Sequence, residues 1–192
     1  MTKKELVVVG GANGSGKTTF ANEMISQKGY TYIAADAIAV ELSPGDLASA
    51  AIAAGREFFR RVQRSLAGDN SFIVESTLSG LMFRRVLEQA KSARFEITIV
   101  YLFLDSSDQC VDRVAERVQK GGHHVPDEDV TRRYSRSLSN FWHFYSPLCD
   151  HWVLVYNSGE EMQDVAAGTA DDYSVRDVDL FERFMLLLEA DE

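Results

Sequence analysis

The sequence predicts an α/β fold built on a doubly wound, five-stranded parallel sheet in the order two-three-one-four-five. Three observations carry that expectation. Short runs rich in Val, Ile, Tyr and Phe alternate with longer stretches of helical period, the pattern of a parallel sheet covered by helices on both faces. The first run ends in a glycine-rich turn that opens directly into a helical pattern. With 192 residues, 45% of them hydrophobic, the chain has the length and composition of one globular domain.

The expected strands are Glu5–Gly10, Tyr30–Ala35, Ser71–Val74, Glu96–Leu104 and His151–Tyr156. Each is short and apolar, as buried strands are. The expected helices are Lys17–Gln27, Asp46–Ala67, Gly80–Ala93, Ser107–Lys120 and Asp127–Tyr145, the last stopped by Pro147. In the second, Leu47, Ala51, Ala54, Phe58, Val62 and Leu66 form an apolar stripe, and Gly68-Asp69-Asn70 ends it. No repeat or linker interrupts residues 1–158, which read as one domain with a helical lid at about 107–140. Residues 159–192 read as a tail packed on the same domain. Gly159 to Ser174 is acidic and rich in small residues, and a helical pattern resumes over Asp177–Glu189.

The formal net charge of −9 argues against a binder of nucleic-acid backbones, which presents a basic excess. Cys110 and Cys149 stand far apart and without metal-ligand spacing, so neither a disulfide framework nor a zinc site is expected. The N-terminus lacks a signal-peptide core, and no stretch is long enough to span a bilayer; the cytoplasm is the expected compartment.

Gly11-Ala12-Asn13-Gly14-Ser15-Gly16-Lys17-Thr18 matches the phosphate-binding pattern G-x-x-x-x-G-K-[ST], with a strand before it and a helix after it. Glycines let successive backbone N–H groups face an anion, and the helix N-terminus adds partial positive charge. This P-loop, with Thr19 after it, is expected to bind the phosphates of ATP in preference to GTP. Lys17 would reach the terminal phosphates and the Thr18 hydroxyl would hold Mg²⁺.

In open parallel sheets, ligands sit at the carboxyl ends of the strands. Polar residues gather there: Asp36, Glu75 with Ser76-Thr77, Asp105, and Asn157-Ser158. Farther along, Arg113 and Arg117 share a helix face with Lys120. Gly121-Gly122-His123-His124-Val125-Pro126 follows, and then Arg132, Arg133 and Arg136. Arginines grouped around a Gly-Gly hinge in an acidic chain suggest a lid that neutralises charge on a transferred phosphoryl group. His123 and His124 have no partners at metal-ligand spacing, so hinge or capping roles are expected. No Gly-x-Ser-x-Gly elbow occurs, and a hydrolase triad is not supported.

The P-loop, the segment Glu75-Ser76-Thr77-Leu78-Ser79-Gly80, the Gly121–Pro126 turn with its arginines, and Asn157-Ser158 together resemble the zeta-toxin-like family of small P-loop kinases. The resemblance covers roughly residues 5 to 158. It implies a kinase that moves a phosphoryl group from ATP or GTP to a small-molecule hydroxyl, that of the sugar nucleotide UDP-N-acetylglucosamine in members with assigned activity and by extension of a (UDP-)amino sugar here, and an antitoxin partner in some members. Here it implies Asp36 as the base, Glu75 and Thr77 near the acceptor, and Arg117 with Arg132 or Arg133 as transition-state cations. Tyr156 replaces the usual acidic residue before the Asn-Ser pair. Between Asp36 and Glu75 the residues alone leave the choice of base open. The alternative function is an ATPase or regulatory module that switches a protein partner, with Val100–Asp105 as a Walker-B-like strand.

Overall fold

The computed structural model describes residues 3–122 and 124–190. One sheet runs through the molecule in the order β2-β3-β1-β4-β5-β6-β7. Its first five members are β1 (Glu5–Gly10), β2 (Thr31–Ile33), β3 (Phe72–Ser76), β4 (Glu96–Phe103) and β5 (His151–Tyr156). They pair in parallel, in the order the sequence predicts. The count of five is corrected: β6 (Gln163–Gly168) and β7 (Tyr173–Val175) extend the sheet antiparallel beyond β5. These two strands hide in the acidic, small-residue stretch because β6 buries only Val165 and Ala166 and β7 buries nothing, so neither shows an apolar run.

Seven helices surround the sheet among the described residues: α1 (Lys17–Lys28), α2 (Ala35–Leu42), α3 (Leu47–Leu66), α4 (Arg84–Ser92), α5 (Ser107–Gln119), α6 (Asp127–Asn140) and α7 (Val178–Glu189). Side chains alternate across the central strands. On β1, Leu6 and Val8 face the large core, while Val7 and Val9 face a smaller one with Ala21 of α1. In the large core Tyr101 stacks on Phe141 with ring centroids 4.2 Å apart, and Phe184 of α7 packs edge-on against both. No helix among the described residues is long and apolar enough to cross a membrane.

Three differences from the expected elements matter for the site. The second strand stops at Ile33, and the Ala-rich stretch read as its end winds instead into α2, so Asp36 lies in the first turn of a helix. A carboxylate there is favoured by the helix dipole. Arg61 of α3 pairs with Glu41 of α2 at 2.5 Å and with Glu57 at 3.0 Å, fastening the two helices together. The third strand runs to Ser76, which puts Glu75 inside β3 opposite Val9 of β1. Finally, α6 ends at Asn140 and continues as a wider π turn over Phe141–Tyr145. That turn aims the Tyr145 hydroxyl at the Gly80 carbonyl, 2.5 Å away.

Candidate functional site

The P-loop is held from below and from the side. Gly14 (φ 82°) and Gly16 (φ 96°) adopt left-handed backbone, and a Cβ at Gly14 would lie 2.6 Å from the Cys110 carbonyl oxygen. A Cβ at Gly16 would lie 2.3 Å from Asn157 Nδ2, so both positions demand glycine on two counts. Asn157 donates to the Ser15 carbonyl at 2.8 Å and so braces the loop, while Ser158 accepts from the Asp105 N–H and donates to Gln109. Lys17 is buried, donates to the Ala12 carbonyl at 2.7 Å and lies 4.0 Å from Glu75. Burial lowers its pKa, partly offset by the nearby Glu75 and Asp36 carboxylates. The Cys110 thiol beneath the loop is pushed up to about 12 by burial and is inert at neutral pH.

Glu75 gathers donors. Its Oε2 accepts from the Thr18 hydroxyl at 2.9 Å and from the Tyr32 hydroxyl at 2.5 Å. Burial and the carboxylate raise the Tyr32 pKa, so this phenol stays a donor. Thr18 and Glu75 are hard oxygen donors on neighbouring elements, a set that fits Mg²⁺. Nothing in the sequence pattern marks Tyr32; its position in β2 beside β3 brings it there.

Two cavities open beside the P-loop. One of about 250 Å³ reaches from Thr18 and Tyr32 past Asp36 and Val40 to Arg117 and Gly122. The other, of about 280 Å³, includes Asn13 and Lys17, with Gly55, Phe58, Thr77 and Arg133 on its walls. Asp36, Glu75 and Arg117 line both. Asp36 is exposed and has no hydrogen-bond partner among the described residues. Gly55 stands in the middle of α3, where glycine costs about 1 kcal/mol relative to alanine. A Cβ at Gly55 would meet nothing within 4 Å. Neither packing nor backbone strain requires this glycine; what its missing side chain leaves is space in the cavity.

The Thr77 corner is strained and clamped. Leu78 takes a left-handed backbone (φ 54°) with its side chain buried against Gly10, a conformation that costs a branched residue about 1 kcal/mol or more. Three donors from the α6 region hold it: Ser137 to the Thr77 carbonyl at 2.5 Å, Asn140 to the Leu78 carbonyl at 2.9 Å, and Tyr145 to the Gly80 carbonyl. These three read from the sequence as ordinary helix residues. Their role depends on the fold bringing Ser137, Asn140 and Tyr145 against the turn after β3, which spacing does not reveal.

The arginines divide. Arg117 and Arg133 line the cleft, and Arg133 donates to Asn13 of the P-loop at 3.3 Å. Arg132 is exposed, pairs with Asp129 at 2.5 Å and lines neither cavity. Gly121 and Gly122 form the C-terminal cap of α5, with Gly122 N–H donating to the Arg117 carbonyl at 2.9 Å. His123 lies outside the described residues, and His124 is exposed. Asp105 is engaged away from the P-loop, with Arg183 at 2.5 Å and the Tyr156 hydroxyl at 2.8 Å. Those partners weigh against a Walker-B-like role for Asp105; Glu75, on the other neighbour of β1, is the carboxylate that lies beside Lys17 and Thr18.

A family model described as "AAA domain" (AAA_33) matches residues 6–139. An uncharacterized protein of Haemophilus influenzae is 31% identical over 126 residues, 65% of this chain and 88% of that protein. Among solved structures, AvrRxo1-ORF1:-ORF2 with ATP superposes with a TM-score of 0.74 at 16% identity over 95% of this chain. The chain spans 63% of that protein's length. The PezAT chromosomal toxin-antitoxin system of Streptococcus pneumoniae matches with a TM-score of 0.65 at 11% identity, over 100% of this chain and 88% of that one. Shikimate kinase from Acinetobacter baumannii in complex with shikimate gives 0.51 at 14% identity, over 98% and 95%. At these identities the structural likeness is one of fold.

Proposed function

We propose that this chain, which belongs to the AAA_33 family of AAA domains, is an ATP-dependent kinase that transfers the γ-phosphoryl group to a hydroxyl of a small molecule. The observation that carries the reading is the shared wall of the two cavities. Asp36, Glu75 and Arg117 converge there beside Lys17 and Thr18 of the P-loop. A base, a metal-side carboxylate and a cation around one phosphate site are the parts phosphoryl transfer needs.

In this reading the ATP phosphates lie along the loop Gly11 to Thr18, and Lys17 exchanges its bond to the Ala12 carbonyl for one to the terminal phosphates. Thr18 and Glu75 would hold Mg²⁺, which when bound screens charge between the β- and γ-phosphates. The acceptor occupies the cavity between Gly55, Phe58 and Thr77. Asp36 takes the proton of its hydroxyl as the new O–P bond forms, while the bond from Pγ to the bridging oxygen breaks and its electron pair leaves with ADP. Arg117 and Lys17 neutralise the charge that develops. Asp36 is favoured over Glu75 as the base because Glu75 already accepts from Thr18 and Tyr32, whereas Asp36 is unpaired among the described residues. Arg133 is favoured over Arg132 as the second cation because it borders the cavity.

The finer reading, an amino sugar or its UDP form as acceptor and an antitoxin as partner, rests on the zeta-toxin-like resemblance. The space at Gly55 beside the apolar Phe58 suits the face of a compact ring. The test is incubation of the protein with γ-labelled ATP and a metabolite extract containing amino sugars. A new labelled small molecule is the expected result. Label appearing only as inorganic phosphate makes the chain an ATPase or regulatory module instead.

A further inference from the structure

The acidity of this chain is confined to one end. All of its net charge of −9 comes from residues 159–192, where Arg176 and Arg183 are the only bases; residues 1–158 are neutral overall. Both arginines are engaged within the fold, Arg176 with Asp164 and Arg183 with Asp105. Glu182 and Glu189 make no ion pair among the described residues, and they border a groove of about 500 Å³ along the outer side of α7.

The groove itself is apolar. Val175, Val178, Phe181, Met185 and Leu186 line it, with Val178 60% and Leu186 64% exposed. Positions 178, 181, 182, 185, 186 and 189 recur at the three- and four-residue spacing of one helix face. Phe184 and Leu188 anchor α7, and Phe181 and Met185 are half-buried against the core, which leaves Val178 and Leu186 of that face exposed. A helix apolar on a second side, rimmed by unpaired carboxylates, has the make-up of a helix-binding groove.

We infer that the outer face of α7 is a docking groove for a protein partner presenting a cationic amphipathic helix. The partner's apolar stripe lies on Val178, Phe181 and Leu186, and its lysines or arginines face Glu182 and Glu189. Charge decides the occupant. A second copy of this chain would bring another acidic tail against the same carboxylates, whereas a basic helix gains from them and is steered towards them. The three turns of α7 offer about 18 Å of groove, enough for a matching helix. No residue that lines this groove lines either of the Asp36 cavities. The inference stands apart from the kinase reading.

The full chain would be titrated with a fluorescent synthetic Leu/Lys peptide of helical pattern, about five turns long, and with its Leu/Glu counterpart. The Leu/Lys peptide is expected to bind at least ~10-fold tighter, with affinity falling as salt rises. Leu186→Lys should weaken it by ~10-fold or more. The double variant Glu182→Lys with Glu189→Lys should exchange the preference to the Leu/Glu peptide. Because Leu186 is 64% exposed, circular dichroism melts of the variants should match the parent; if Leu186→Lys melts lower, Val178→Ser probes the same face. Equal binding of the two peptides, or Leu/Lys binding that survives both sets of substitutions, overturns the proposal. So does a dimer in sedimentation that Leu186→Lys dissociates, which would make the occupant a second copy.

Discussion

The donor and acceptor sides of the cleft are built differently. Around the P-loop, side chains are tied to the loop by hydrogen bonds: Asn157 to the Ser15 carbonyl, Lys17 to the Ala12 carbonyl and Arg133 to Asn13. Across the cleft, Asp36 stands exposed on α2, and the α2–α3 hairpin carries Val40, Leu42 and Ile52 at 49%, 50% and 74% exposure. A site for triphosphate gains from dipoles fixed in advance, because reorganising them during the reaction costs activation energy. An acceptor side completed by an unpaired carboxylate and open apolar surface leaves more of its final shape to the substrate.

If the two sides are as distinct as this, substitutions should separate transfer from binding. Arg117→Ala has the largest expected effect, ~10³-fold or more on kcat with ATP affinity nearly kept, as for a cation acting on transition-state charge. Steady-state kinetics checks it; lost affinity with unchanged kcat would make Arg117 a ground-state clamp on the donor side. Asp36→Asn keeps shape but accepts no proton, so transfer should fall by ~10² while ATP still binds. Glu75→Gln should raise the Mg²⁺ needed for half-maximal rate by ~10-fold. Near-normal transfer in Asp36→Asn, with a dead Glu75→Gln that still binds Mg²⁺ and acceptor, would exchange the two roles.

A smaller effect tests the bracing of the loop. Asn157→Ala removes the bond to Ser15 and should cost about 1–3 kcal/mol of stability, seen in thermal melts, together with a loss of ATP affinity. Unchanged melting would mean that the glycines alone fix the loop. The mildest expectation concerns pH. The Lys17 ammonium is lowered in the empty protein by burial, and phosphate beside it raises it again. At pH values around the lowered pKa, binding should therefore take up a proton at Lys17. Affinity should weaken as pH rises through the lowered value, and calorimetry in buffers of different ionisation enthalpy reads the uptake. Proton release would contradict the sign.

The structure also separates what one sequence can disclose. Gly11 to Thr18 was legible because its chemistry is local: backbone N–H groups, three glycines with positive φ and a helix start follow one another along the chain. Asp36 and Glu75 were legible as polar residues near strand ends, though their elements differ, one opening α2 and the other inside β3. Tyr32, Gly55 and the Ser137, Asn140 and Tyr145 clamp were not legible. Each matters through a neighbour distant in sequence, as Ser137 does through Thr77.

By itself the sequence determined the parallel core order, the phosphate loop and the two candidate carboxylates, since hydrophobic period and glycine spacing act over a few residues. Tertiary structure alone decided which carboxylate faces Thr18, which of Arg132 and Arg133 borders the cleft, and that an acidic tail without an apolar run becomes β6 and β7. The reason is physical. An edge strand takes its stability from backbone hydrogen bonds to a neighbour already in place, and a side chain's role from what the fold sets opposite it; neither is written in local composition.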